Sequence, residues 1–529
     1  MVVHPISEES IDHVLSQVSR PFQVLEHAGT QEIRDGVPPW LDEHRDARFL
    51  GYVPACRPED LGDSSFCADH GLRYACVAGA MANGIASVRI VEEMARAGML
   101  GVFGAAGLDP ARVERAIDQV QQSLGQRHAY GFNLIHSPSD PALESAIVDL
   151  YVRRGVRLVE ASAFLDLTLP VVRYRVAGIR RDSSGQIVAP NRIIAKVSRV
   201  EVATKFMSPP PAKFLRELVA TGVISAEQAE WAGRIPMADD LTAEADSGGH
   251  TDNQPAVVLL PTMLDLRDRL HAEHRYRSPV RVGAAGGIAT PWSAVAAFAM
   301  GAAYLVTGSI NQSCVEAGTS DVVRRLLCQA RQGDVAMAPA ADMFEMGVKV
   351  QVLKRGTMFP MRAAKLFEIY RANDGIEQIP ASERANLEKS LFKKPLETVW
   401  HETRDFFTRR DPSQLERADR DPKHKMALIF RWYLGNSSNW ANSGDPSRTL
   451  DYQIWCGPAM AAFNDWVRGS FLEVPENRRV SVVALNLLYG AAVLTRARML
   501  QTQGGKLPPR SPLLTPLESG EIENRCSLN

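Results

Sequence analysis

The chain has no Cys-x-x-Cys pair among its seven cysteines, which lie scattered at Cys56, Cys67, Cys76, Cys314, Cys328, Cys456 and Cys526. Zinc and iron–sulfur sites therefore lack their usual ligand spacing. An odd, dispersed set in a long chain fits a reducing compartment. Charge of one sign is also missing: Lys and Arg number 60, Asp and Glu 61, for a net charge of -1. That balance gives no support to a nucleic-acid or membrane-surface partner. No apolar run reaches the roughly 20 residues of a spanning helix. The longest are Val480–Leu494, interrupted by Asn486, and Ala294–Val306. The opening MVVHPISEESIDHVL has no basic stretch followed by an apolar one, so no secretory signal is expected and the expected location is cytoplasmic. No solenoid-type repeat is visible.

What is present is a globular composition, 45% hydrophobic and 23% charged, over 529 residues. That length implies several domains, or one large barrel with extensions. Residues 1–73 are mixed and broken by Pro38, Pro39, Pro54 and Pro58, and read as an irregular extension. From Tyr74 short apolar runs alternate with helix-like stretches. The runs are YACVAGA (74–80), MLGVFGAAG (99–107), AYGFNLI (129–135), VRLVEAS (156–162), RIIAKVS (192–198), DLTAEA (240–245), RVGAAGG (281–287) and AYLVTGS (303–309). Buried parallel strands read as continuous apolar runs of this kind. Between them Asp109-Pro110, Asp140-Pro141 and Thr290-Pro291 each set a capping residue before a proline at the first helical position, and Ser87 and Ser320 are further caps. Eight strand–helix units in order predict a (β/α)₈ TIM barrel over residues 74–338. A doubly wound sheet is the alternative, but it would carry its phosphate loop after the first strand, and here the glycine-rich loops come last. Residues 339–503, rich in Lys, Arg, Glu and aromatics at helical spacing, read as a helical subdomain on the barrel mouth. Residues 504–529, with PPR, SP and TP, read as a flexible tail.

The chemistry should sit at the C-terminal ends of the strands. VGAAGGIATP (282–291) and VTGSINQ (306–312) end the seventh and eighth strands, where barrels commonly bind a phosphate through loop amides. Gly286, Gly287, Gly308 and Ser309 would let the backbone approach such an anion; two tight turns are the plainer alternative. EADSGGHTDN (244–253) ends the sixth strand and brings His250 to the mouth, as a proton-transfer group or as a structural loop histidine. Polar residues interrupt other strands: Asn133, Glu160, Ser162 and Lys196. A buried lysine is costly unless paired. Lys196 either faces a ligand or bridges to Glu160. His136 faces the mouth or holds a loop. The aromatics of RWYLGNSSNW (431–440) and DYQIWCGP (451–458) line a pocket or fill a core.

The segments VAGAMANGIAS, FGAAGL, GFNLIHSP, RLVEASAFLDLTLPVVRYRV, NRIIAKVSRVEVATKFMSP, MADDLTAEADSGGHTDN and VGAAGGIATPWSAVAAFAMGAAYLVTGSINQSCVEAGTS resemble those of the PfaD-type proteins. So do DPKHKMALIFRWYLG, LDYQIWCGPAM and FNDWVRGS, so the resemblance runs from about Tyr52 to about Arg498. PfaD-type proteins are trans-acting enoyl reductases of polyketide and polyunsaturated-fatty-acid synthases, within a group that includes nitronate monooxygenases. The resemblance implies FMN as cofactor, NADPH as co-substrate and a 2-enoyl thioester on an acyl carrier protein as substrate. It implies that Ala78, Gly79, Ala80 and Met81 pass close to the flavin and that Asn133 and Lys196 hydrogen-bond it. Ser247, Gly248, Gly249, Gly286, Gly287, Gly308 and Ser309 complete the implied cofactor site, with His250 as catalytic residue and no metal. The acyltransferase domain sometimes fused to such reductases, with its Gly-x-Ser-x-Gly elbow, is not seen. Two other readings stay open: a nitronate monooxygenase-type oxidase, and a non-catalytic flavin-binding scaffold in a synthase assembly. The basic stretches at Lys393-Lys394 and Arg417–Lys425 are candidates for docking an acidic carrier protein, or are ordinary exposed helix faces. The oligomeric state is open, a homodimer included.

Overall fold

The computed structural model describes residues 3–5, 8–27, 29–36, 47–125, 127–137, 140–504 and 514–527. Eight parallel strands close into a barrel: Cys76–Ala78, Leu100–Phe103, Gly131–Ile135, Leu158–Ser162, Arg192–Val197, Asp240–Glu244, Arg281–Ala285 and Leu305–Thr307, the last pairing with the first. Each falls inside one of the eight apolar runs. The capping residues do what the sequence predicts. Asp109, Asp140, Thr290, Ser87 and Ser320 each accept a hydrogen bond from the first turn of the helix that follows. A side-chain oxygen there satisfies an amide that has no partner within the helix.

The barrel interior is a core of its own, made of Val77, Leu100, Val102, Leu158, Ile194, Ala285 and Val306. Its floor is polar but closed. Asp240 opens the sixth strand and Arg281 the seventh; Arg281 Nε donates to Asp240 at 2.6 Å, and His70 Nε2 meets the other carboxylate oxygen at 2.7 Å. Phe66 stacks on Tyr304 at 4.2 Å beside them. His70 and Phe66 come from the helix Ser64–His70, so the end of the N-terminal extension plugs the barrel.

Three expectations about the flanking regions change. Residues 1–73 are not irregular: Val3–Pro5, Thr30–Asp35, Phe22–His27 and Ala47–Val53 pair in that order as an antiparallel sheet. Of the prolines that obscured it, Pro54 and Pro58 lie beyond the last strand, and Pro38 and Pro39 lie outside the described residues. The 339–503 region is not one helical unit. Val335–Pro339 and Lys349–Leu353 form a hairpin, to which Gly249–His250 adds a third strand. Helices between Phe359 and Ser443 build a second core around Phe359, Leu366, Phe392, Phe430 and Tyr433. Beyond it the chain returns to the barrel. The helix Val480–Thr502 packs on the barrel helix Pro291–Ala299 and belongs to the main core. That helix is 23 residues long and apolar enough to cross a membrane by length and composition, contrary to the reading from its apolar run; most of it is buried inside the protein. The expected tail holds the helix Ser519–Cys526, with Ile522 in the main core; residues 505–513 lie outside the described residues.

Buried Arg496 joins the returning helix to the N-terminal extension. Its guanidinium donates to the carbonyls of Val14 (2.9 Å), Val18 (3.3 Å) and Pro54 (2.9 Å). Among the described residues no carboxylate pairs with it, and burial lowers its pKa to about 10.

Candidate active site

The seventh and eighth strands pair Ala285 with Val306. Two residues further along in each case, just past the ends of these adjacent strands, come Gly287 and Gly308. A Cβ built on either would meet nothing within 4 Å. Gly286 is different: its Cβ would lie 2.6 Å from the Ala245 backbone and 2.8 Å from the Asp246 carbonyl. One glycine of the pair is therefore required by packing against the sixth-strand loop. Gly287, at φ +75°, turns open backbone to the mouth. Ser309 begins a short 3₁₀ turn, Ser309–Ser313.

Gly79 faces inward, where a Cβ would sit 2.7 Å from Val306 Cγ1. Its chain neighbours Ala80 and Met81 are half-buried at the rim, while Ala78 is buried in the strand. Asn133 is buried, and its amide nitrogen donates to the Glu160 carbonyl (3.0 Å) and Ser162 Oγ (2.8 Å). Both amide hydrogens are thus used within the barrel, and only the side-chain oxygen is left for a ligand. Lys196 makes the predicted bridge to Glu160, at 3.6 Å, and a shorter one to Glu244, at 3.1 Å. Burial lowers the lysine pKa, but the neighbouring carboxyl groups, Glu244 foremost, outweigh it and the ammonium is retained.

The loop after the sixth strand is held from within. Asp246 Oδ1 accepts from Gln351 Nε2 (2.8 Å), Asn253 Nδ2 (3.0 Å) and Thr251 Oγ1 (3.3 Å). Gly248 packs against another backbone: its Cβ would come within 3.0–3.1 Å of Cys456. Gly249, at φ +87°, lies under the Trp455 ring. The Ser247 hydroxyl is buried without a hydrogen-bond partner. His250 pairs across strands with Val350, and Gly249 with Gln351. Gln351 turns to Asp246 and the barrel, so Val350 and His250 face the helical subdomain. There His250 Nε2 meets Asp342 Oδ1 at 3.1 Å, with about half of the imidazole exposed. Burial would lower the histidine pKa, but the hydrogen bond and charge of Asp342, helped by Glu244, raise it above its ordinary value.

Sequence reasoning did not single out Glu244, Asp246, Asp342, Gln351 or Cys456–Gly457. Glu244 and Asp246 stand in the same segment as His250. Asp342 is 92 residues away, and no local pattern could link the two. His136 holds a loop: its Nδ1 meets buried Glu144 at 3.0 Å. The aromatic segments are mainly core, with Tyr433 and Tyr452 fully buried; Trp455 reaches the site. Most of the lysines in the basic stretches already have partners. Lys393 bonds the Ser447 carbonyl, Lys394 meets Glu402 at 2.7 Å, Lys423 meets Asp374 at 3.0 Å, and Lys425 lies over Trp400 at 5.2 Å.

A closed parallel barrel with glycines at the ends of its last two strands, charged groups beneath the mouth and a second subdomain beside it defines a (β/α)₈ scaffold with its candidate site at the C-terminal rim. The family model for nitronate monooxygenase matches residues 66–386, and that for the inserted helical domain of [acyl-carrier-protein] S-malonyltransferase matches residues 373–452. A polyunsaturated fatty acid synthase component of Thraustochytrium sp. is 50% identical over 456 residues, 85% of this chain and 30% of that protein. Polyketide biosynthesis protein PksE of Bacillus subtilis is 48% identical over 441 residues, 83% of this chain and 57% of that protein. The crystal structure of the enoyl reductase domain of MlnA, from the macrolactin cluster of Bacillus amyloliquefaciens, superposes with a TM-score of 0.80 at 40% identity, covering 84% of this chain and 99% of that domain. The chain belongs to the nitronate monooxygenase family, in its PfaD-type branch. It spans about a third of the Thraustochytrium protein and somewhat over half of PksE.

Proposed function

We propose that the chain is an FMN-dependent enoyl reductase that serves an acyl carrier protein of a polyketide or polyunsaturated-fatty-acid synthase in trans. The observation that carries this is the pair of open backbone positions, Gly287 and Gly308, on adjacent strand ends of one charged mouth. The residues fit FMN. Amides at the two glycines can approach a phosphate closely, the orphaned Ser247 hydroxyl needs a partner, and the Lys196 ammonium suits the electron-rich edge of a flavin. When bound, FMN supplies the relay that carries hydride from NADPH to the β-carbon of the enoyl thioester. The balance is one NADPH and one proton consumed for each double bond saturated.

The chain's own residues handle the proton and the orientation. His250, whose protonated form Asp342 favours, donates to the α-carbon or polarises the thioester carbonyl. Its position between barrel and subdomain suits a substrate arm entering from that side. The subdomain offers a platform for a carrier protein, a reading supported by its likeness to the helical insert of an acyl-carrier-protein transferase. The test is anaerobic NADPH oxidation with a crotonyl carrier-protein thioester, beside aerobic turnover of an alkyl nitronate. Turnover of the nitronate alone would replace this reading with the oxidase. Flavin binding without turnover of either would leave a scaffold.

A further inference from the structure

Glu160 is used by nothing in the mechanism above, yet it sits under the barrel mouth with its side chain buried and one oxygen, Oε2, without a hydrogen-bond partner. The other oxygen, Oε1, accepts one long hydrogen bond, 3.3 Å from the Ala80 amide, and lies 3.6 Å from the Lys196 ammonium. The charged and titratable groups around it are Lys196 on the fifth strand, Glu244 on the sixth and, deeper in the interior, the Tyr304 hydroxyl, which is committed to Thr242 at 2.9 Å. Lys196 lies 3.6 Å from Glu160 but 3.1 Å from Glu244. Those distances put the two carboxylate oxygens at most about 6.7 Å apart, their sum. Coulomb energy falls as 1/r, so repulsion from Glu244 cancels at least about half of what Lys196 offers an ionised Glu160. The remainder must then offset the burial of a carboxylate that water does not reach.

We propose that Glu160 is a neutral, protonated acid beneath the mouth, a positioning residue that leaves the Lys196 charge opposed only by the half-buried Glu244 and so available to an anionic ligand edge. Two carboxylates share one ammonium and hold one further proton between them; the proton rests on the member that water cannot solvate. Burial raises the Glu160 pKa, Lys196 opposes it, and Glu244 raises it again, with a net rise. With Glu160 neutral, the cluster of Lys196, Glu160 and Glu244 carries one cation and one anion before any ligand arrives. An ionised Glu160 would leave it negative, against the binding of a flavin phosphate and the build-up of charge on a reduced ring.

The function of this charge state rests on the FMN reading, but its test does not. Infrared difference spectra of the purified protein, wild type minus E160Q, are expected to show the carbonyl band of a protonated carboxyl group at neutral pH. In E244Q, which changes a more exposed side chain, the band's titration midpoint is expected to move to lower pH, because the ammonium is then free for Glu160. No protonated-carboxyl band at neutral pH, or a midpoint unmoved in E244Q, would overturn the proposal. On flavin-loaded protein, E160Q should leave the flavin midpoint potential at pH 7 unchanged, since glutamine mimics the neutral acid. A positive shift would mean that a negative charge had been removed, and that Glu160 is ionised. Failure to bind flavin would count against the proposed function and leave the infrared result standing.

Discussion

Replacing Gly308 by alanine separates phosphate recognition from folding. The added methyl meets no atom within 4 Å, and the backbone lies at φ -135°, so neither collision nor left-handed strain is introduced. Removing a glycine restricts the unfolded chain, a gain of about 0.4–1 kcal/mol that the unusual ψ of -77° at this position offsets. The apo-protein should therefore melt close to the wild-type temperature. The same methyl occupies the space through which the backbone would approach a phosphate. Each hydrogen bond to a charged group contributes about 1.5–3 kcal/mol. Loss of one should weaken FMN by about 10- to 150-fold. The assay is fluorescence titration of deflavinated protein with FMN and, in parallel, with riboflavin, which has no phosphate. G308A should weaken FMN and spare riboflavin. Equal loss of both, or unchanged FMN affinity, would refute the placement of the phosphate at this rim. Gly79→Ala is the contrasting variant, since its methyl falls 2.7 Å from Val306 and should cost fold stability instead.

The other predictions concern protons and packing. His250→Ala should bind FMN and be reduced by NADPH normally but slow the enoyl half-reaction about 10²–10⁴-fold; equal slowing of both halves in stopped-flow would show a structural role. Asp342→Asn removes the partner that raises the His250 pKa, so the alkaline limb of the enoyl half-reaction should move to lower pH; an unmoved profile would separate Asp342 from the proton. Burial would raise the Asp240 carboxyl, but His70 and Arg281 hold it below its ordinary value. Its stabilising contribution is thus present above the unfolded carboxylate pKa of about 3.9 and lost as pH falls through the lower folded one. Asp240→Asn should cost up to about 3 kcal/mol at neutral pH, since Arg281 then keeps only the half-exposed Asp69, at 2.7 Å, and His70 loses its charged partner, and should flatten the acid limb of the melting curve. Arg496→Met leaves three carbonyls without their donor, at roughly 1 kcal/mol or more each. Limited proteolysis should then cut the N-terminal extension before the barrel; simultaneous loss of both would show that the guanidinium supports the whole core.

The barrel was legible because its signals are local. A strand buried on both faces must be a run of apolar residues, and a helix start needs an oxygen beside its free amides, so YACVAGA or Asp109-Pro110 declares its place without knowledge of the rest of the chain. The glycine loops and His250 were legible for the same reason, since the fold puts the ends of strands six to eight at one rim. The flanking regions and the fine structure of the site depend on contacts that are not local. The antiparallel sheet near the N-terminus mixes polar and apolar residues, as in TQEIRD, and owes its place to Arg496, more than 400 residues away. Which glycine is open and which is filled, Gly287 or Gly286, depends on where the Ala245–Asp246 backbone passes. The charge on Glu160 depends on Glu244 and Lys196 converging from neighbouring strands, and that of His250 on Asp342 in a distant hairpin. Sequence alone determined the barrel, its caps and the rim where chemistry belongs, because backbone geometry and apolar burial act over a few residues. Only the tertiary structure decided which groups at that rim are paired, open or protonated, because electrostatics and packing act through space between segments that the chain order keeps apart.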